Sequence, residues 1–441
     1  MLFTKQQLRR LIIPLIIEQT LAITVGMADV MMVSSAGEAA ISGVSLVDMI
    51  NNLLNAVFAA LATGGAVVTA QFIGAKHKED ACESSKQLII ITVTISIIIM
   101  AITLIGRKMI LSLLFGSIEE DVMQSAILYF VISAFSYPFL ALYNSCASLF
   151  RAMGNSKISM RVSMVMNVIN VGGNALLILG FKMGVAGVAI PTLISRMVAA
   201  IILLILIRNK NNVVYLEKGM PKPNKAMIRK ILYIGIPSGI ESGLFQLGRV
   251  IVVSIIAGFG TVQIAANAVA NSIDGMGCIV GQSMNLAMIT VIGQCVGAGD
   301  VKQVTYYTKK LLKFSYLATA VVNTAILLAL PWILNIYSLS TQTRDLAFIL
   351  IMIHNGLAII FWPASFTLPN MLRACNDVRY TMVVSISSML AFRIVFSYVL
   401  GIGMGLGAIG VWIAMVMDWI CRIICFVGRY VRRKWVITAG L

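Results

Sequence analysis

Long apolar runs separated by short charged clusters set the rhythm of the chain. The runs fall near 11–33, 46–73, 87–106, 122–149, 158–180 and 186–207, then near 231–256, 265–296, 311–335, 345–371, 380–402 and 408–428. About 20 apolar residues carry a helix across the hydrocarbon core of a bilayer. Each run is long enough for one crossing, so the pattern predicts an all-α polytopic membrane protein with twelve transmembrane helices. The polar–apolar alternation of membrane β-barrel strands is absent. The first run follows Lys5, Arg9 and Arg10, is too long for a signal-peptide core and lacks a small-residue cleavage site. It is expected to remain as the first span.

Composition narrows the function classes. Of 441 residues, 59% are hydrophobic and 12% charged, against about 45–50% and 25% in globular domains. A soluble enzyme and a disordered regulator are both excluded. The cysteines Cys82, Cys146, Cys278, Cys295, Cys375, Cys421 and Cys425 are scattered, and the histidines are His77 and His354. No spacing in this set suggests a disulfide framework or a zinc site. Cys421 and Cys425, one turn apart on an apolar helix, read as packing residues. Neither a nucleophile elbow nor a phosphate loop is present, and the glycines from Gly403 to Gly410 read as close helix packing. No enzyme activity is expected, and no cofactor.

The net charge of +17 would suggest nucleic acid in a soluble protein, but here it sorts by side. With the N-terminus taken as cytoplasmic, 27 Lys and Arg fall on that side. Four (Arg107, Lys108, Lys182 and Arg344) fall opposite, and Arg196, Arg249 and Arg393 lie within spans. Basic loops resist translocation, so both termini are expected on the cytoplasmic side of the plasma membrane. The basic end RYVRRKW reads as a helix anchor that could also touch anionic lipid. The longest cytoplasmic connection, 208–230, is polar, basic and contains two prolines, which suggests a linker between an N-lobe (1–207) and a C-lobe (231–441).

The halves repeat. Pro14 and Glu18 match Pro237 and Glu241, QFIGAK at Gln71 matches QCVGAG at Gln294, and GVAGVAI at Gly184 matches GAIGVWI at Gly407, all at an offset of 223. RAMGN at Arg151 matches RACND at Arg373, one residue short of that offset. Six spans per repeat give the halves the same topology, so an axis along the membrane normal relates two six-helix bundles, as in parallel-repeat transporters. Alternating access with substrate between the lobes is the expected mechanism.

These residues give the chain a resemblance to the MATE (multidrug and toxic compound extrusion) family over essentially its whole length. The carriers are PLIIEQTLAITVGMADVMMVSSAG from Pro14, the twin QxxGA segments, RAMGNSK, NVINVGGNALLILG and GVAGVAIPTLISR. The resemblance implies export of small organic, often cationic, drug-like compounds in exchange for inward Na⁺ or H⁺, with the lipid bilayer as the other partner, no nucleic acid, and a monomer.

Ionisable side chains within hydrocarbon are costly and mark candidate functional positions. Asp29 lies about 27 Å along the first span, in its outward half. Asn167, Asn170 and Asn174 share one face of the fifth span, and Asn170 and Asn174 reach the depth of Asp29, as does Thr192 early in the sixth. A carboxylate, two amide carbonyls and a hydroxyl are hard oxygen donors suited to an alkali cation, and a lone buried Asp equally suits a proton. By resemblance, Asp29 occupies the family's N-lobe coupling position, fifteen residues after the bend-forming Pro14, and Asn170 and Thr192 match cation-site positions. Asn174 departs, since several members carry Asp there, and this leaves Na⁺ against H⁺ open.

In the C-lobe the matching positions are Val252, Arg393, Ser397 and Met415, so the site is not duplicated. That lobe offers Glu241, Arg249, Asp274 and Arg393 as coupling or substrate residues, or as a charge-paired Glu241–Arg249–Asp274 network. Some family branches carry a glutamate one turn beyond Glu241, where this chain has Phe245. Glu18, the partner of Glu241 in the repeat, reads as structural or as a residue of the substrate cavity. Asp418 and Arg422, at i and i+4, are expected to pair. Met27, Met31, Met49 and Met276 are candidates for an adaptable substrate cavity, or filler. The alternative function is a flippase for lipid-linked oligosaccharide or a related lipid precursor, for which Arg249 and Arg393 would have to face a cavity without acidic partners.

Overall fold

The computed structural model describes residues 2–117, 119–217, 219 and 222–441. Lys218, Met220 and Pro221 of the expected linker lie outside the described residues. The N-terminal half contains α1 (Lys5–Ser34), α2 (Glu38–Gly74), α3 (Lys78–Phe115), α4 (Glu120–Ala152), α5 (Ser156–Gly180) and α6 (Ala186–Ile207). The C-terminal half contains α7 (Lys225–Ala257), α8 (Thr261–Gly277), α9 (Ile279–Gly297), α10 (Val301–Ile336), α11 (Thr341–Ala374), α12 (Val378–Gly403), α13 (Ala408–Val431) and the short α14 (Lys434–Ala439). Among the described residues, twelve helices are long and apolar enough to cross a membrane. The chain is an all-α, twelve-span membrane protein of two six-helix bundles.

One expected span is divided. The run 265–296 becomes α8 and α9, interrupted at Cys278, whereas its repeat counterpart α2 is continuous. The cause is local: the carbonyl of Gly277 accepts a hydrogen bond from Asn323 Nδ2 at 3.2 Å, and Asn355 Nδ2 donates to Asn323 Oδ1 at 2.8 Å. A side-chain donor from α10, itself held by α11, thus engages the backbone where the helix breaks.

The repeated motifs are the chain's turns. Lys76 and Gly299, Gly154 and Asn376, and Gly184 and Gly407 all have positive φ, between 60° and 80°. That left-handed conformation ends helices and suits Gly and Asn. Asp300 caps α10, accepting from Gln303 N at 3.1 Å and Gln303 Nε2 at 2.9 Å. These donors hold its carboxyl below the ordinary range.

The chain forms two compact units, one of Lys5–Gly239 and one of Ile240–Leu441 with the first few residues of the chain. The division falls inside α7. In the first unit the core is built from Val44, Val47, Phe130 and Val188, continued by Phe58 and Tyr137. In the second it is built from Ile256, Ala270, Leu350 and Trp412. There Leu2 N donates to Gln303 Oε1 at 2.7 Å and Phe3 N to Tyr307 Oη at 3.0 Å. The outer faces of the long helices are apolar, as a lipid environment requires.

Three helices carry π-helical turns: Ala175–Gly180 in α5, Pro363–Thr367 in α11, and Met389–Val395 and Ser397–Gly403 in α12. The helix hairpins α5–α6 and α12–α13 close through glycine. A Cβ on Gly410 would stand 2.6 Å from the backbone of Leu400, and one on Gly187 3.1 Å from that of Leu177. The first contact has no room for a methyl group. Gly410→Ala is therefore expected to destabilise the protein by about 1–3 kcal/mol, the usual cost of overpacking, and Gly187→Ala by less. Melting temperatures of the two purified variants in detergent check the order.

Candidate ion and substrate sites

A buried carboxylate on the first helix of each half meets an arginine from the repeated turn motif of the same half. In the N-lobe, Arg151 Nη2 donates to Glu18 Oε1 at 2.6 Å and Ser159 Oγ to Glu18 Oε2 at 3.0 Å. In the C-lobe, Arg373 Nη2 donates to Glu241 Oε1 at 2.7 Å and its Nη1 to Asn370 Oδ1 at 2.6 Å. The internal repeat thus preserves an ion pair. Both glutamates are buried, and neither lines the C-lobe cavity described below.

Asp29, half-buried on α1, meets α5. Asn174 Nδ2 donates to Asp29 Oδ1 at 2.8 Å and lies 3.4 Å from Asn170 Oδ1, while Asn170 Nδ2 donates to Thr192 Oγ1 at 3.0 Å. Thr192 Oγ1 passes its own proton to Val188 O. The four expected residues are brought together as a chain of hydrogen bonds, with a single carboxylate at its end. Asn174 Oδ1 is buried without a hydrogen-bond partner. It lies at the start of the π-helical turn of α5, a local geometry frequent at functional positions. Asn167 stays outside this chain, with its Nδ2 unpartnered. Pro14 lies inside α1, which continues through it. The carbonyl of Arg10, which proline cannot serve, accepts from Ser156 Oγ at 3.3 Å, and that of Leu11 at 2.5 Å.

Asp48 was not singled out in the sequence. Tyr129 Oη donates to Asp48 Oδ1 at 2.9 Å, Tyr137 Oη to Asn51 Oδ1 at 3.0 Å, and Arg196 Nη1 to Ser136 Oγ at 2.7 Å. This polar network is electrostatically coupled to Asp29 through Asp48. The signal was present, because Asp48 is an ionisable residue inside the run 46–73.

The C-lobe positions that match the N-lobe site open instead onto a cavity of about 320 Å³. Arg249, Asp274, Cys278, His354 and Arg393 contribute its polar lining, and Phe245, Trp362, Phe366, Trp412 and Trp419 its aromatic walls. Val252 and Met415 line it as well, while Ser397 Oγ donates to the carbonyl of Arg393. Of the expected Glu241–Arg249–Asp274 network, Arg249 and Asp274 share the cavity wall but Glu241 stands apart. Glu241 and Arg249 are eight residues apart on one helix, about 12 Å of rise. Glu241 pairs with Arg373, and Asp274 pairs with His354 at 2.6 Å. Cys278 Sγ lies 3.3 Å from Asp274 Oδ1, so Asp, Cys and His donors converge although linear spacing gave no Cys/His cluster. His354, inside the run 345–371, could have been found by treating histidine as an ionisable residue in hydrocarbon.

Asp418 and Arg422 pair as expected, Arg422 Nε donating to Asp418 Oδ1 at 3.0 Å. Arg393 Nε is 3.6 Å from Asp418 Oδ2, so one carboxylate serves two guanidinium groups. Met276 does not line the cavity, nor do Met27, Met31 and Met49 of the other lobe. Met31, Met49 and Met276 are exposed, at 74%, 44% and 39%.

The MatE family model matches residues 14–176 and 237–399, two stretches displaced by the same 223 residues as the sequence repeat. The chain belongs to the MatE family. Its members are transporters rather than enzymes. The Bacillus subtilis protein described as "Uncharacterized transporter YisQ" is 27% identical, over 96% of this chain and 93% of its own. The "Probable multidrug resistance protein NorM" of Thermotoga maritima is 24% identical, over 99% and 94%. Among solved structures, the outward-facing conformation of a multidrug resistance MATE family transporter of the MOP superfamily superposes with a TM-score of 0.91 at 20% identity. It covers 99% of this chain and 97% of that one, a likeness of fold. The flippase alternative is not favoured: the Thermotoga maritima relative is described as a probable multidrug resistance protein, and Arg393 has Asp418 beside it.

Removing one partner of a buried ion pair strands the other charge and costs about 3–5 kcal/mol. Glu18→Gln and Glu241→Gln should each lower thermal stability. Adding Arg151→Met to the first, or Arg373→Met to the second, should recover part of the loss. Double-mutant cycles read from detergent melting curves check both pairs.

Proposed function

We propose that the protein is a cation-coupled antiporter of the plasma membrane that exports drug-like organic compounds by alternating access, with Asp29 as the coupling carboxylate. One observation carries this reading: among the N-lobe carboxylates Glu18 is held by Arg151 and Asp48 by Tyr129, whereas Asp29 accepts from a neutral amide, that of Asn174. Such a carboxylate gains most by taking up a cation or a proton. The relatives described as multidrug resistance proteins support export of small organic compounds, and the 27-to-4 division of basic residues supports cytoplasmic termini. A monomer suffices, since both lobes lie on one chain.

The donor set fits a monovalent cation. Asp29 supplies one negative charge, and Asn174 Oδ1 is an enclosed oxygen without a partner. For Na⁺, the Asn174 amide would rotate to present that oxygen, and Asn170 and Thr192 would complete the oxygen ligands. For H⁺, protonation of Asp29 would suffice, turning an acceptor of Asn174 into a donor. Either event changes the hydrogen bonds between α1 and α5. The interrupted hydrogen bonding at Pro14 favours a bend of α1 in response, which would displace substrate from the N-lobe.

Proteoliposomes with the pH gradient and the Na⁺ gradient imposed separately test this. Wild-type protein is expected to drive efflux of an organic dye with at least one of them, and Asp29→Asn to lose that component at unchanged protein level. Retention of wild-type coupled efflux by Asp29→Asn would falsify the assignment. Asn174→Asp, by adding a second carboxylate, is expected to increase the Na⁺-dependent share of efflux. An unchanged Na⁺ dependence would remove Asn174 from the ligand set.

A further inference from the structure

The charge balance around the C-lobe cavity is uneven. Arg249, Arg393 and Arg422 face Asp274 and Asp418 as their acidic neighbours. Asp274 is held by His354 at 2.6 Å. Asp418 is held by Arg422 at 3.0 Å and by Ser388 Oγ at 2.5 Å. Arg393 is only 7% exposed. Its distance of 3.6 Å from Asp418 exceeds hydrogen-bond length, and its guanidinium makes no hydrogen bond among the described residues. Arg249, which shares the cavity wall with Arg393, makes none either among the described residues.

A guanidinium carries five N–H donors, and a nearly buried one without acceptors is unfavourable. The neighbouring ring makes the excess plainer. The ring of Phe245 lies 5.1 Å from the Arg393 guanidinium and 5.6 Å from that of Arg422. A π face steadies a cation but supplies no negative charge. Three arginines against two aspartates leave one positive charge in excess, and an organic cation entering this cavity would be repelled by it.

We propose that the C-lobe cavity binds a flat aromatic anion, its acidic group between Arg249 and Arg393 and its ring against the Trp and Phe walls. The chemistry matches on both counts. Arginine forks are suited to the paired oxygens of a carboxylate or sulfonate, and Trp362, Trp412 and Trp419 offer broad surfaces for stacking. The volume of about 320 Å³ suits a fused bicyclic ring. The proposal deepens the exporter reading by naming a substrate class, and rests on it only for the direction of transport.

The test is equilibrium dialysis of the detergent-solubilised full chain against three ligands of one shape: 1-naphthoate, neutral 1-naphthamide and cationic 1-naphthylmethylamine. The expected order puts naphthoate at least tenfold tighter than the amide, with the amine weakest. Arg249→Gln should weaken naphthoate about tenfold, the loss of one charge-assisted contact, and Arg249→Lys should restore part of that. Amide binding should stay unchanged throughout. Because Arg249 is exposed, these variants are expected to fold, and Arg393→Gln adds a second arm if it does. Equal affinity for the three ligands, preference for the amine, or naphthoate binding that ignores Arg249 would overturn the proposal. So would displacement of naphthoate by phosphatidylglycerol in mixed micelles, which would place a lipid phosphate there. Asp29→Asn should bind naphthoate normally while losing coupled efflux, so failure of the coupling assignment and failure of the anion site give different results.

Discussion

Charge inside an apolar bundle must be answered by charge or by several donors, and that requirement governs how both halves of this chain are held. Glu18 and Glu241 sit on the opening helices of the two repeats, where a lone carboxylate would be driven to neutralise or to unfold its surroundings. Each instead receives an arginine from the turn between the fourth and fifth spans of its own half, at 2.6 and 2.7 Å. The contact ties the first span to the far side of its bundle. It explains why the RAMGN and RACND motifs persist in both halves: Arg151 and Arg373 hold the carboxylates, and Gly154 and Asn376 turn the chain back into the membrane.

Once the halves are fastened in the same way, their outward parts are at liberty to differ, and they do. The N-lobe fills the space between its first, fifth and sixth spans with Asp29, Asn174, Asn170 and Thr192, whose hydrogen bonds run from one to the next. The matching space in the C-lobe has Val252, Ser397, Arg393 and Met415, and opens into an aromatic-walled cavity. One lobe therefore presents a net negative group to whatever enters, and the other a positive one. The break between α8 and α9 belongs to this divergence, because it places Asp274 and Cys278 on the wall of the cavity, where the continuous α2 of the N-lobe has no such turn.

Hydropathy and charge were enough to read the twelve spans, because lipid imposes length and apolarity on every crossing. The convergence of Asp29, Asn170, Asn174 and Thr192 was legible through helical spacing and depth. What escaped was pairing between distant segments. Arg151 and Arg373 read as basic residues at span ends, and nothing local reveals that they turn inward to a glutamate more than 130 residues away. His354 and Cys278 meet for the same reason, through packing rather than through spacing. The division at Cys278 also escaped, since the side chain that engages the backbone there, Asn323 held by Asn355, comes from other helices.

The π-helical turns explain a small irregularity in the repeat. The helix α4 has 33 residues and its counterpart α11 has 34; α5 has 25 and α12 has 26. Each longer copy carries one π turn that the shorter lacks, Pro363–Thr367 in α11 and Met389–Val395 in α12. An inserted residue in a regular helix would rotate everything beyond it by roughly 100°, and a wider turn absorbs the extra residue in place. Arg373 thereby still points at Glu241 as Arg151 does at Glu18, and Gly410 still meets Leu400 as Gly187 meets Leu177. Since the duplicated halves separated, these helices have tolerated a change of length without a change of phase, and the second of the two absorbed residues lies in the turn that carries Arg393.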